Sequence, residues 1–206
     1  MSLRFDQTGW QLLQPGAYRN ADGDVAELHG FDLPPDLPAP LEDLDSLRRA
    51  TAAHTAAAGG GLIELDVITL DGLPAIRQIV KVPLPNQDHG VAYIASFTMP
   101  RADRSLVLKV LCLEQGVTGM RDATVFDRFM ADHGQGRSPE EMMRYWAQHP
   151  YDPGIQGGLP RNWSEEPEWD PHFPQHPLSR ARRVLQSLAP TIELHPAFKS
   201  APPFRG

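Results

Sequence analysis

Hydrophobic and polar residues alternate in the middle of the chain with the period of a β-strand. Within residues 63–67 the odd positions are apolar, whereas Glu64 and Asp66 occupy the even ones. The Asp71-Gly72 dipeptide that follows is typical of a two-residue hairpin turn, and pairing outward from it sets Asp66 opposite Arg77. The same register predicts three further pairs: Val67 with Ile76, Leu65 with Gln78, and Ile63 with Val80.

Residues 93–112 repeat this alternation and predict a second hairpin with Ala102-Asp103 at its tip. Its inward face is predicted from four pairs: Met99 with Leu106, Phe97 with Leu108, Ala95 with Val110, and Tyr93 with Cys112. Together the hairpins predict an antiparallel meander over about 62–113. A shorter pair around 10–13 and 25–31, with Asp22-Gly23 in its turn, is expected to extend the sheet.

The polar residues of this meander are predicted to lie on one outer face of the sheet. Its members are Glu64, Asp66, Arg77, Lys81, Ser96, Thr98 and Lys109. Such a face is typical of a solvated, charge-paired surface, and it is also compatible with the binding of a polar ligand or a partner. Asp66, Arg77 and Lys109 are therefore candidate binding residues.

Helical spacing governs the segments on either side of the meander. Residues 42–58 lack proline, begin with acidic residues and end at Gly59, as expected of a helix. Ser138 and Pro139 predict the start of a second helix that ends at about Gln148. Further regular elements are predicted around 120–130, 178–188 and, as a short strand, 191–194.

These elements predict an α+β fold in which helices pack on one face of a curved antiparallel sheet. A chain of 206 residues, 41% hydrophobic and 22% charged, is expected to form a single domain over 1–206. Its core is predicted at about 10–130 plus 177–195. Residues 134–176 are predicted to add a helix and a loop rich in proline and aromatic residues, both packed on that core.

Charge and cysteine content restrict the classes of partner. The net charge of −7 provides no basic field for nucleic acid or for an anionic membrane surface. The single cysteine, Cys112, is usual in a reducing compartment. We find no signal-peptide pattern and no apolar run of membrane-spanning length, so the predicted location is cytoplasmic.

Aromatic residues concentrate in the proline-rich stretch and just before it. Trp146, Trp163 and Trp169 are candidate binding residues, because exposed aromatic side chains tend to mark interfaces. Burial of the same side chains beneath a long loop, as a small satellite core, is the alternative.

Common catalytic and phosphate-binding motifs are absent from the sequence, so we predict no catalytic residue, no cofactor and no metal site. His172, His176 and Asp170 form a polar group suited to hydrolytic or zinc chemistry. Prolines 171, 174 and 177 interrupt the helical geometry that would bring the two histidines together.

The order of elements resembles a known superfamily. A helix with small residues enters a meander whose first turn reads Asp71-Gly72-Leu73-Pro74-Ala75, and a late helix and a brief strand follow. This order is similar to the PsbP-like superfamily, which includes a Ran-binding nuclear import factor and bacterial domains of unknown function. The Pro-Leu-Ser-Arg-Ala-Arg-Arg segment at 177–183 also resembles one in uncharacterised bacterial proteins.

The resemblance implies a binding module and no shared catalytic residues. The function predicted from the sequence is therefore a non-enzymatic protein-binding or adaptor module whose partner is another protein, and a homodimer is compatible with it. An enzyme of unrecognised type, such as a hydrolase, and a small-molecule carrier are the alternatives.

Overall fold

A computed structural model describes residues 3–84, 90–115 and 119–205. The strands are β1 (Leu3–Arg4), β2 (Trp10–Gln14), β3 (Ala17–Asn20), β4 (Val25–Phe31), β5 (Gly61–Leu70), β6 (Leu73–Pro83), β7 (Val91–Pro100), β8 (Ser105–Leu113), β9 (Ala147–Gln148), β10 (Arg161–Asn162) and β11 (Glu193–Leu194). The α-helices are α1 (Leu44–Ala57), α2 (Met120–His133), α3 (Pro139–Trp146), α4 (Pro177–Leu188) and α5 (Pro196–Lys199).

Seven strands form one antiparallel sheet in the order β2-β3-β4-β8-β7-β6-β5. The α+β class with a large antiparallel sheet is therefore confirmed. Two small two-stranded ladders, β1 with β11 and β9 with β10, lie outside this sheet.

Both predicted hairpin registers are largely confirmed. All four predicted pairs of the β7–β8 hairpin are present, and in β5–β6 Asp66 lies opposite Arg77. The predicted pairing of Ile63 with Val80 is wrong, because the register shifts at a β-bulge between Leu62 and Glu64. Leu62 pairs with Val80 instead.

Helices cover both faces of the sheet, so the predicted packing on one face is wrong. On β6, Ile76 and Val80 belong to a cluster with α1, whereas Ala75 and Ile79 belong to the main core with α4. Because successive residues of a strand point to opposite faces, α1 and α4 lie on opposite sides of the sheet. The inward faces predicted for the two hairpins are therefore opposite faces of one sheet.

The β3–β4 turn corrects the prediction for the first strands. Gly23 lies in this turn, and β4 pairs with β8 as expected of an extension of the sheet. The predicted pairing of 10–13 with 25–31 is wrong, because β3 lies between β2 and β4 and pairs with both.

Helix ends follow their capping residues closely. The Asp43 carboxylate accepts from the Ser46 amide at the start of α1, and Gly59 just beyond its end has φ +83°, a conformation that suits glycine. The next glycines allow close packing, since a Cβ on Gly61 would lie 1.7 Å from the Leu159 carbonyl oxygen.

The buried stripe of α2 differs from the one predicted by the helical spacing of Met120, Ala123, Phe126 and Met130. Arg121, Val125 and Phe129 are buried, whereas Met120 and Met130 are exposed. No helix in the described parts of the chain is both long enough and apolar enough to cross a membrane.

Candidate functional site

Trp146, Trp163 and Trp169 come together in one aromatic cluster beside the sheet. Trp146 is buried with Val125, Phe129 and Met142, while Trp163 and Trp169 pack against this small core and are partly exposed. Trp146 is therefore part of a satellite core, whereas Trp163 and Trp169 reach the surface.

Trp163 packs against aromatic rings of both α2 and α3. Its ring centroid is 5.1 Å from that of Phe129, 5.0 Å from that of His133 and 6.0 Å from that of Tyr145. Its indole N–H donates to the Tyr145 carbonyl oxygen at 3.0 Å. The indole is thereby fixed between α2 and α3.

A cavity of about 350 Å³, which we call the Trp169 cavity, opens on one side of Trp163. It combines aromatic walls with groups of both charges, and the Arg128 guanidinium lies 5.8 Å from the centre of the Trp169 ring. Its lining residues are Val125, Arg128, Phe129, Asp132, His133, Trp163, Glu168, Trp169 and His172.

A second cavity of about 250 Å³, which we call the His149 cavity, also has Trp163 in its wall. Aromatic and proline side chains line it together with amide, carboxylate and guanidinium groups. Its lining residues are Tyr145, Trp146, Gln148, His149, Pro150, Pro153, Arg161, Asn162, Trp163 and Glu166.

The sheet holds the Trp163 segment through a buried carboxylate. Glu165 accepts from the Lys81 ammonium at 2.7 and 2.9 Å and from the Tyr93 hydroxyl at 2.7 Å. The same carboxylate accepts from the Asn162 amide and so caps the short 3₁₀ turn Trp163–Glu165. Burial, together with the Glu165 charge, raises the pKa of Tyr93 well above its usual value.

Arg121 fixes the same segment from α2. Its side chain is fully buried and donates to the carbonyl oxygens of Ser164 and Glu166, to the Asp170 carboxylate at 2.9 Å and to the Ser179 hydroxyl at 2.8 Å. Burial lowers the pKa of Arg121, and the Asp170 carboxylate opposes that shift. The backbone that carries Trp163 is thus held in place by buried ion pairs and hydrogen bonds.

The residues proposed for hydrolytic chemistry lie in different surroundings. Asp170 is held by Arg121, Arg182 and Ser179, His172 lines the Trp169 cavity, and His176 packs edge-on against Tyr93. In the described ranges no group of three or more His, Cys, Asp or Glu side chains is arranged to hold a metal ion. The hydrolase alternative stays a prediction that this placement does not support.

Acidification is expected to destabilise the protein through His176. Burial, together with the charge of the nearby Arg121, lowers the pKa of His176 to about 4. Because this value lies below the ordinary 6.5, the unfolded chain binds the proton more readily, and stability falls as the pH drops below about 6.5. Between pH 7 and pH 5 the expected loss in free energy of unfolding is about 2 kcal/mol.

Urea unfolding at the two pH values measures this loss, and His176→Asn is the matched variant. His176 accepts from the Leu178 amide as the N-cap of α4, a role that asparagine also fills, but asparagine does not titrate. The variant should lose about 2 kcal/mol less than the parent over this pH range. Equal losses in the two proteins would contradict the assignment to His176.

The charged residues predicted to share one outer face are separated. Asp66 and Arg77 form an ion pair of 3.7 Å, and Arg77 also binds Glu64 at 2.8 Å. Lys109 pairs with Glu27 at 2.7 Å. Lys109 lies opposite Ser96 whereas Arg77 lies opposite Phe97, so the two cations are on different faces of the sheet, and the prediction of one outer face is wrong.

Sequence patterns did not indicate which polar groups of the site are buried. His149 and Arg161 line a cavity although neither was singled out, because both lie in an aperiodic stretch. For α4 the sequence did carry a signal that Arg180 is buried, because Arg180 lies at helical spacing from Val184 and Leu188, which are buried.

Comparison with protein-family models and with curated proteins finds no match for this chain. The PsbP-like resemblance therefore stays a prediction.

Proposed function

We propose that this chain is a non-enzymatic protein-binding module that holds a segment of a partner protein along the two cavities beside Trp163. The observation that carries the proposal is the position of Trp163, which is partly exposed and lines both the Trp169 cavity and the His149 cavity. A rigid tryptophan between two concave surfaces offers a large contact area at low entropic cost.

Cavity size favours side chains over a cofactor. Volumes of about 350 and 250 Å³ lie at or below the lower end of the range of roughly 300–1,000 Å³ that is usual for small-molecule sites. Two small cavities that share one wall suit two neighbouring side chains of an extended peptide. The aromatic and proline walls of the His149 cavity are of the type used in peptide-recognition grooves.

Selection from a displayed library of random peptides tests the proposal on the full chain. We expect enriched peptides whose dissociation constant rises at least about tenfold in Trp163→Ala, since tryptophans at the centre of an interface carry much of the binding energy. Isothermal titration calorimetry measures the change. Thermal unfolding of the variant verifies that it is folded.

Phe31→Ala is the matched control, because Phe31 is an exposed aromatic residue on β4 outside both cavities. It should leave the affinity of the selected peptides unchanged. Peptides that bind the parent and Trp163→Ala equally well, or a selection that enriches none, would refute the proposed site.

A further inference from the structure

His149, which lines the His149 cavity, has a buried hydrogen-bond acceptor without a partner. His149 is only 4% exposed, and its Nε2 lies 3.0 Å from the Gly157 carbonyl oxygen. Because a carbonyl oxygen only accepts, Nε2 carries the proton, and Nδ1 of the neutral ring is an acceptor. In the described part of the chain nothing donates to this Nδ1.

Arg161, which lines the same cavity, has a buried donor without a partner. Arg161 uses its terminal nitrogen to bind Glu166, but its Nε–H finds no acceptor among the residues that the structure describes. Arg161 pairs with Gln148 in the β9–β10 ladder, and His149 is the next residue along the chain. Both residues, one with an unused acceptor and one with an unused donor, therefore line the same cavity.

We infer that the His149 cavity binds an amide group of the partner peptide, an inference that rests on the proposed peptide-binding function. The amide N–H donates to His149 Nδ1, and the amide oxygen accepts from Arg161 Nε–H. Unpaired buried polar groups are costly, so a ligand that satisfies both gains affinity and specificity.

Other polar groups match the two nitrogens less well. A carboxylate has acceptors only and leaves His149 Nδ1 unpaired, whereas an ammonium group has donors only and leaves Arg161 Nε–H unpaired. A hydroxyl carries both functions on a single oxygen, but the amide places them on two atoms that can face two residues. The proline and aromatic side chains of the wall suit the apolar part of the ligand.

Entry of the amide requires a small movement of the wall. Both nitrogens expose less than 1 Å² of their surface, so the groups that cover them must move before a ligand reaches them. Tyr145 and Gln148 line the cavity and are exposed, which leaves them room to rotate. Once bound, the amide would be shielded from competing water.

Nuclear magnetic resonance titration of the full chain with small probes tests the inference. Propionamide represents the side-chain amide of glutamine or asparagine, and N-methylacetamide represents the backbone amide. We expect one of them, at millimolar concentrations, to shift the His149 Nδ1 and Trp163 indole resonances. The probe that binds more tightly identifies the source of the amide. Propionate and propan-1-ol, which are similar in size, should shift neither resonance.

Two substitutions of His149 separate recognition from folding. His149→Gln keeps a donor near the Nε2 position for Gly157 but lacks the Nδ1 acceptor, and it should weaken amide binding by about tenfold or more. His149→Asn keeps an acceptor near the Nδ1 position and should bind more tightly than His149→Gln. Chemical-shift dispersion reports whether each variant is folded.

Three results would overturn the inference: equal shifts with propionate or propan-1-ol, no shift with either amide, or unchanged amide binding by His149→Gln. Failure here is distinguishable from failure of the proposed function. Selected peptides that depend on Trp163 but bind His149→Gln as tightly as the parent would overturn the amide site alone.

Discussion

Replacing Arg121 by alanine is expected to lower the free energy of unfolding by about 3–5 kcal/mol. The guanidinium is fully buried and donates to α4 through Ser179, to Asp170, and to the carbonyl oxygens of Ser164 and Glu166. Alanine removes the cation but leaves the acceptors without their donor, and an unpaired buried polar group costs more than the bond that it lost. Urea denaturation measures the difference.

Two further substitutions make this experiment specific to the buried fork of hydrogen bonds. Arg121→Lys keeps the charge but presents a single nitrogen, so it should recover only part of the lost stability. Arg128→Ala removes another arginine of α2, whose side chain is 70% exposed and 3.7 Å from Asp132. Its expected effect is about 0.5 kcal/mol or less. Similar losses in Arg121→Ala and Arg128→Ala would contradict the role given to burial.

The same substitution connects stability to the candidate site. Ser164 and Glu166 follow Trp163 in sequence, so the contacts of Arg121 hold the backbone that presents the indole. Glu165, between them, is held from the sheet by Lys81. The tryptophan is therefore positioned from two sides, by α2 and by the sheet, which keeps a binding surface in place before any ligand arrives.

Local patterns were sufficient to predict the strand pairing next to the Asp71-Gly72 and Ala102-Asp103 turns. The Asp71-Gly72 turn and the alternation around it fix which residues pair, and the opposition of Asp66 and Arg77 follows from those two facts. Capping has the same local character, as Ser138 and Glu141 show by forming the reciprocal bonds that begin α3. Register and helix starts depend on neighbours in sequence, which a single sequence displays.

Which face of each strand is buried could not be predicted in the same way. Alternation at Leu65 and Val67 identifies an apolar side, and so does alternation at Phe97 and Met99, but nothing in either segment relates the two sides. Because the sheet is covered on both faces, the apolar side of one hairpin faces α1 and the apolar side of the other faces α4. The bulge after Leu62 also turns Ile63 toward the core that contains α4. The pairing of strands was predicted, but the packing of helices on both faces of the sheet was not.

Buried ion pairs were missed for a related reason. Charged residues are rarely buried unless they are paired, and the partners here are distant in sequence: Lys81 with Glu165, and Arg180 with Asp24. The aromatic residues were easier to predict as a group because they are concentrated in one stretch. Their division between core and surface depended on α2, whose buried stripe the spacing misplaced.

Replacing Asp24 by asparagine is expected to cost about 3–5 kcal/mol of stability. Asp24 is fully buried, and its carboxylate accepts from Arg180, which is 2% exposed, at 2.9 Å. Asparagine has almost the same shape but no charge, so the Arg180 cation would be buried without an anion. The loss should appear in urea denaturation as a lower midpoint with an unchanged slope.

A surface pair between the same two elements provides the matched control. Asp22 lies in the same turn as Asp24 and binds Arg183 of α4 at 3.2 Å, but the Asp22 and Arg183 side chains are 38% and 47% exposed. Asp22→Asn should therefore cost less than about 1 kcal/mol. Equal effects of the two substitutions would show that proximity to α4, and not burial of the charge, determines the cost.

Removing both charges of the buried pair completes the test. Asp24→Asn combined with Arg180→Met deletes the cation that Asp24→Asn alone leaves uncompensated, so the double variant should be more stable than the sum of the single losses predicts. Recovery is expected to be partial, because Arg180 also donates to the carbonyl oxygens of Leu113 and Gln175. Those carbonyls tie α4 to β8 and to the segment before α4. An additive result would mean that they, and not the pairing with Asp24, account for the role of Arg180.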